Sequence, residues 1–206
     1  MEPVSITPPP SASAVSSKNE ERARQNAHIL SVFEEMSRTH GPRSVVMGEL
    51  AKTLGMSTKT LYKNFPKKKH LVSALMEKWS AELLDKQNNR INQGMTPKDR
   101  ITDASVDWLN QTSQFSEIFW AQLERDFPDA FKVYEEGRRV FFDRSRKNLT
   151  NSIREELNAD LALSNLLAVI ANSTNQKLCT QLNITRKDAV VDAVDLWAKG
   201  ALKEYS

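Results

Sequence analysis

Cysteine is almost missing from this 206-residue chain. Cys179 stands alone, so no intramolecular disulfide can form, and its expected role is that of a small buried hydrophobe. A cytoplasmic, reducing setting suits such a composition. Long apolar runs are missing too: the longest, Leu166 to Ala171, falls far short of the roughly 20 residues needed to span a bilayer. The opening Met1-Glu2-Pro3 has neither a basic nor an apolar leader, so neither export nor membrane insertion is expected. Histidine is sparse and scattered, at His28, His40 and His70, and no phosphate-cradling glycine loop, metal-ligand spacing or nucleophile motif accompanies it. No metal, no cofactor and no catalytic residue is therefore expected. Strand-type alternation and internal repeats are likewise absent, which leaves an all-α fold.

What is present is charge with an uneven distribution. The net charge is only +3, but residues 1–70 hold 11 Lys/Arg against 6 Asp/Glu, while residues 71–206 hold 18 against 20. Within the basic part, Lys59, Lys63, Lys67, Lys68 and Lys69 follow one another without an acidic neighbour. A polyanion is the simplest partner for such a segment. The 39% hydrophobic content is enough for a packed core elsewhere.

Residues 1–18 are rich in proline and serine, include Pro8-Pro9-Pro10, and are read as a disordered arm. From about Glu20, Ala23, Ala27, Leu30, Phe33 and Met36 recur at helical spacing until Gly41-Pro42. Met47, Leu50, Ala51 and Leu54 then mark a short second helix closed by Gly55. Ser57 is a cap for a third short helix, which Pro66 stops. Two short helices joined by a glycine turn form a helix-turn-helix, the arrangement that seats a helix in the DNA major groove. A long fourth helix carries Leu71, Val72, Leu75, Met76, Trp79 and Leu83 inward and breaks at Gly94.

Five further helices are expected, about nine in all. Thr96-Pro97-Lys98-Asp99 and Thr185-Arg186-Lys187-Asp188 are capped starts of the fifth and ninth. Pro128 separates a sixth from a seventh, and Asn158 caps an eighth that runs through Leu178. The division is thus an arm at 1–18, a helix-turn-helix domain at 19–85, and a second helical domain at 86–206.

Leu50-Ala51, Gly55-Met56-Ser57, Thr60-Leu61-Tyr62, Phe65 and Lys68, followed by Leu71, resemble the DNA-binding signature of the TetR family of bacterial transcriptional regulators. The resemblance covers residues 22–72, about a quarter of the chain. Two departures stand out: Lys69 and His70 where acidic residues are common, and Lys59 where a small residue is frequent. The resemblance implies a homodimer, paired through the last two long helices, that reads a palindromic operator and is released by a small-molecule effector, acting most simply as a repressor. An alternative is a chromosome-organising DNA binder without an inducer.

Residues at the start of the third helix reach base edges, and flanking residues grip phosphates. Thr58 and Lys59 are the base-reading candidates, Lys59 toward guanine and Thr58 toward a thymine methyl. Ser57, Thr60 and Lys63 are assigned to phosphate from their positions, and Tyr62 and Lys68 from the resemblance. The plain alternative is a solvated lysine face with Tyr62 as a core aromatic. In the second domain, nine of fifteen aromatic residues fall between Trp108 and Phe142. Trp108, Phe115, Phe119, Trp120, Phe127, Phe131 and Tyr134 either line an apolar effector pocket, as the resemblance implies, or pack as core. Arg125, Arg138 and Arg139 pair either with an acidic ligand or with Glu124, Glu135 and Glu136. Val190, Val194 and Trp197 serve either as dimer anchors or as intrachain core.

Overall fold

The computed structural model describes residues 12–203, with side chains from residue 19 onward. Among the described residues ten α-helices follow one another: α1 (Ala12–Ser37), α2 (Met47–Thr53), α3 (Thr58–Asn64), α4 (Lys68–Asn92), α5 (Pro97–Ser113), α6 (Glu117–Asp126), α7 (Pro128–Leu149), α8 (Ala159–Ser173), α9 (Gln176–Leu182) and α10 (Arg186–Ala201). Among the described residues the sole β-type pairing is the isolated bridge between Ile153 and Leu202. None of these helices is long and apolar enough to cross a membrane.

The caps expected from the sequence are in place. Ser57, Thr96, Asn158 and Thr185 each accept a hydrogen bond from the backbone N–H three residues on, which satisfies donors that the first helical turn leaves free, and Ser116, not expected from the sequence, does the same for α6. Gly55 adopts φ +64°, and Met56 N–H reaches back to the Ala51 carbonyl, so α2 ends as the glycine requires. Two expectations change. Helix α1 begins at Ala12, so residues 12–18 of the expected arm are helical, because no proline or glycine follows Pro10 to stop the helix; residues 1–11 lie outside the described residues. The expected eighth helix is divided into α8 and α9, giving ten helices rather than nine. Asn175 accepts from the N–H groups of Lys177 and Leu178 and so starts a new helix, while Arg186 Nε binds the Thr174 carbonyl left over from the old one, at 2.9 Å.

Two apolar clusters hold the chain together. The first joins α1–α4 to α6 and the start of α7 through Phe33, Leu50, Leu61, Leu75, Phe119 and Leu123. The second joins α5, α8, α10 and the end of α7 through Ile101, Leu149, Leu166 and Val190. Helix α4 runs between them and packs most extensively on α7. That approach depends on Gly137: a Cβ there would stand 1.9 Å from Ser80 Oγ and 2.6 Å from Ser80 Cβ. Gly137→Val should therefore push α4 and α7 apart and destabilise the fold by about 1–3 kcal/mol, read as a lower denaturant midpoint. An unchanged midpoint would show that the two helices separate freely.

Candidate nucleic-acid interface and effector cavity

Helix α3 is anchored by its apolar residues and leaves its polar ones outside. Leu61 is fully buried and Phe65 nearly so, which fixes the helix against the α1–α2 core. The opposite face holds Thr58, Lys59, Tyr62 and Lys63, all exposed. Tyr62 is 46% exposed, so it is not a core aromatic. No carboxylate pairs with Lys59, Lys63, Lys67 or Lys69 among the described residues. Ser57 and Thr60 hydroxyls share a 2.9 Å hydrogen bond, and Asn64 donates to Gln25 at 3.1 Å, tying the far end of α3 to α1. Lys68 lies off this face: its Nζ donates to the Arg43 carbonyl at 2.7 Å. Burial, and then the charge of Arg43, holds Lys68 below the ordinary lysine range. Lys68 thus pins the segment that precedes α2.

That segment is clamped from its other side by α6. Ser116 N–H and Oγ donate to the carbonyls of Arg38 and Thr39 at 3.0 and 2.7 Å, satisfying groups just beyond the C-terminus of α1. Gln122 then bridges the loop with both ends of its amide: Nε2 donates to the His40 carbonyl at 3.1 Å, and Oε1 accepts from Arg43 N–H at 2.9 Å. Gly41, at φ +78°, lets the amide lie against the backbone, since a Cβ would come within 2.4 Å of Gln122 Oε1. Arg43 also faces Asp126 at 3.7 Å.

The aromatic residues divide between two surroundings. Phe115 and Phe119 are buried in the first cluster, packed on Trp79 with ring centroids 4.7 and 5.9 Å away, and Trp120, Phe127, Phe131 and Tyr134 pack against the same cluster. Burial pushes the Tyr134 phenol up to about 12, so it remains neutral. Trp108 alone of the seven lines the large cavity, a half-open cleft of about 770 Å³ walled by α4, α5, α7, α8 and α10. Its ring also meets Tyr134 at 6.0 Å and Phe142 at 6.3 Å. The cavity wall is mainly apolar, with Ile101, Leu109, Phe141 and Leu166 among its residues.

Most of the charged groups on and near that wall are engaged. Arg90, buried, is paired with Asp103 at 2.6 Å and with Asp107. Arg138 meets Glu135 and Arg139 meets Glu136, as the helical spacing suggests, whereas Arg125 takes its neighbour Asp126. Gln87 donates to Ser145 Oγ at 2.8 Å and weakly to the Phe141 carbonyl, but its Oε1 is buried without a donor. Sequence reading did not single out Gln122, Arg43, Gln87, Arg100 or Arg186. Gln122, Arg43, Gln87 and Arg186 each matter through a partner distant in the chain, Arg100 through its place on the cavity wall, and no local pattern marks any of them.

Residues 29–75 match the model of the bacterial regulatory proteins of the tetR family. No curated protein matches the chain. Its fold is shared with solved structures of low sequence identity. The fatty acid degradation regulator FadR from Bacillus halodurans aligns at TM-score 0.66 and 14% identity, over 85% of this chain and 95% of that one. A regulator from Saccharomonospora viridis, crystallised with choline, aligns at 0.65 and 15%, over 88% and 100%. A TetR transcription regulator from Haloarcula marismortui aligns at 0.62 and 16%, over 88% and 100%. The part of the chain that holds the helix-turn-helix is thus similar to the tetR family of bacterial regulatory proteins, and the chain as a whole shares the fold of these solved regulators.

Proposed function

We propose that the protein is a homodimeric repressor that reads a palindromic operator with its two α3 helices and leaves it when a small, largely apolar molecule enters the cavity. The observation that carries the DNA part is the α3 face, where a half-exposed tyrosine stands beside lysines with no carboxylate partner. In this reading Lys59 and Thr58 face bases, and Ser57, Thr60, Tyr62, Lys63 and Lys68 face phosphates. Lys68 does so while holding the Arg43 carbonyl, so it also orders the backbone that a phosphate meets.

Pairing is supported by side chains that α8 and α10 leave outside. Leu161 is 61% and Leu196 71% exposed, with Leu167 and Val191 also outside. Val190 and Val194, by contrast, are fully buried within one chain, and Trp197 donates its indole N–H to the Ala162 carbonyl, so these three belong to the intrachain core. In this reading these exposed apolar side chains meet their counterparts in the second copy.

The effector part rests on the cavity, whose size suits a small ligand. The choline bound to the S. viridis regulator shows that a protein of this fold holds a small organic molecule. Response would travel through α4 and α7 on one side and the α6 clamp on the other. A ligand shifts the equilibrium only as far as it prefers one arrangement of these helices.

Salt-dependent DNA titrations test the assignment. Lys68→Ala should weaken binding by a similar factor on every sequence and lower the magnitude of the log–log salt slope by about 1 per subunit. Lys59→Ala should instead relax preference at one position of each half-site, at a cost of about 1–3 kcal/mol on the preferred base. An unaltered salt slope for the first variant removes Lys68 from the phosphate contacts. Gln122→Ala should leave operator affinity within a few fold but blunt the effector's ability to release DNA, measured as the ratio of affinities with and without effector. A full response in this variant would place the coupling elsewhere.

A further inference from the structure

The cavity has a charge imbalance that its apolar character conceals. Five arginines line it, Arg90, Arg100, Arg138, Arg146 and Arg186, against two aspartates, Asp143 and Asp160. Both aspartates are taken: Asp143 by Arg139 at 3.1 Å and Asp160 by Arg146 at 2.9 Å. Arg90 and Arg138 have their own carboxylates. Arg100, half-buried on the first turn of α5, has no side-chain hydrogen bond or ion pair among the described residues. Arg186, half-buried at the start of α10, uses only Nε, on the Thr174 carbonyl, which fixes the plane of the guanidinium and leaves both terminal nitrogens without a carboxylate.

A guanidinium beside an apolar wall is costly unless an anion compensates it, and its planar fork suits a carboxylate. Resting on the reading of this cavity as the effector site, we propose that the effector is an amphipathic anion whose acid group is held by a cavity guanidinium without a carboxylate, Arg100 or Arg186, and whose body lies on the apolar wall. The ligand class is a carboxylic acid with a hydrocarbon portion, rather than a neutral or cationic molecule of the same shape.

Competition against a neutral fluorescent probe, phenylnaphthylamine, on the full-length protein tests this, with decanoate, decanol and decyltrimethylammonium as competitors of one chain length. Decanoate should displace the probe at a concentration roughly tenfold or more below that of either other molecule, since a charge-assisted contact is worth about that factor. The double variant Arg100→Gln/Arg186→Gln should bring decanoate within roughly twofold of decanol while decanol itself is unchanged. Arg100→Lys/Arg186→Lys, which keeps both charges, should retain most of the preference and guards against misfolding of the first. Equal or better displacement by decanol or the ammonium compound overturns the anion inference and leaves the cavity standing. Leu163→Trp, which fills the cavity, should abolish displacement by all three; unchanged displacement in that variant overturns the effector site and the inference with it.

Discussion

Leu161→Glu together with Leu196→Glu should yield a monomer whose affinity for operator DNA is at least ~100-fold below that of the wild type. The two leucines are the most exposed large apolar residues on α8 and α10, so in a single chain they touch little, and their replacement should leave the monomer's fold intact. In a dimer the same carboxylates would be buried without partners, at a cost no interface of ordinary size absorbs easily. Loss of pairing removes the tethering of one half-site reader to the other, an effective-concentration advantage of about 10²–10⁴. Sedimentation equilibrium gives the oligomeric state, and titration of an operator duplex gives the affinity. A variant that stays dimeric with unchanged sedimentation would exclude this face as the interface.

Phe119→Ala should cause the largest loss of stability of any single truncation on α6, about 3–5 kcal/mol. Its ring is fully buried and lies 4.4 Å from Phe115, 5.4 Å from Trp120 and 5.9 Å from Trp79, all as centroid distances. Removing it opens a void where α6 meets α4, and in a chain of this length the thermal midpoint should fall on the order of 10 °C. Trp79 and Trp120 emission should shift to the red at temperatures where the wild type is still folded. Tyr62→Ala, on the exposed face of α3, should by contrast leave stability within about 0.5 kcal/mol and act on DNA binding alone. A small midpoint change for Phe119→Ala would mean that the α4–α6 contact is loose enough to close around the gap.

The local part of this architecture was legible because its signals are short in range. Gly55, Ser57, Thr96, Asn158 and Thr185 announce helix ends through backbone chemistry that needs nothing but neighbouring residues, and the structure has each of them capping or turning as that chemistry demands. The helix-turn-helix followed from the same cues. What was hidden depends on distance in the chain. The division of α8 from α9 turns on Arg186 reaching the Thr174 carbonyl, 12 residues away, and helical periodicity runs straight through that point. Gln122 lies 79 residues from Arg43 and 82 from His40, so nothing beside it in the sequence distinguishes it from any surface glutamine.

The aromatic stretch illustrates the same limit on a larger scale. Periodicity places Phe115, Phe119 and Trp108 on apolar faces, but it does not say which neighbouring helix each face meets. The structure places Phe115 and Phe119 in packed core and Trp108 on the cavity wall. Unpaired arginines are equally invisible in sequence: Arg138 finds Glu135 one turn back, while Arg100 has Asp99 and Asp103 nearby and pairs with neither.

Selection of bound duplexes from a random DNA pool by the full-length protein addresses the whole arrangement at once. Two α3 helices related by a twofold axis should enrich an inverted repeat whose half-sites are centred one helical turn or a whole number of turns apart, about 34–36 Å per turn. Enrichment should disappear when Lys59, Tyr62 and Lys63 are all replaced by alanine. A pool that yields no symmetric site, or that the triple variant enriches equally well, would contradict a paired α3 reader.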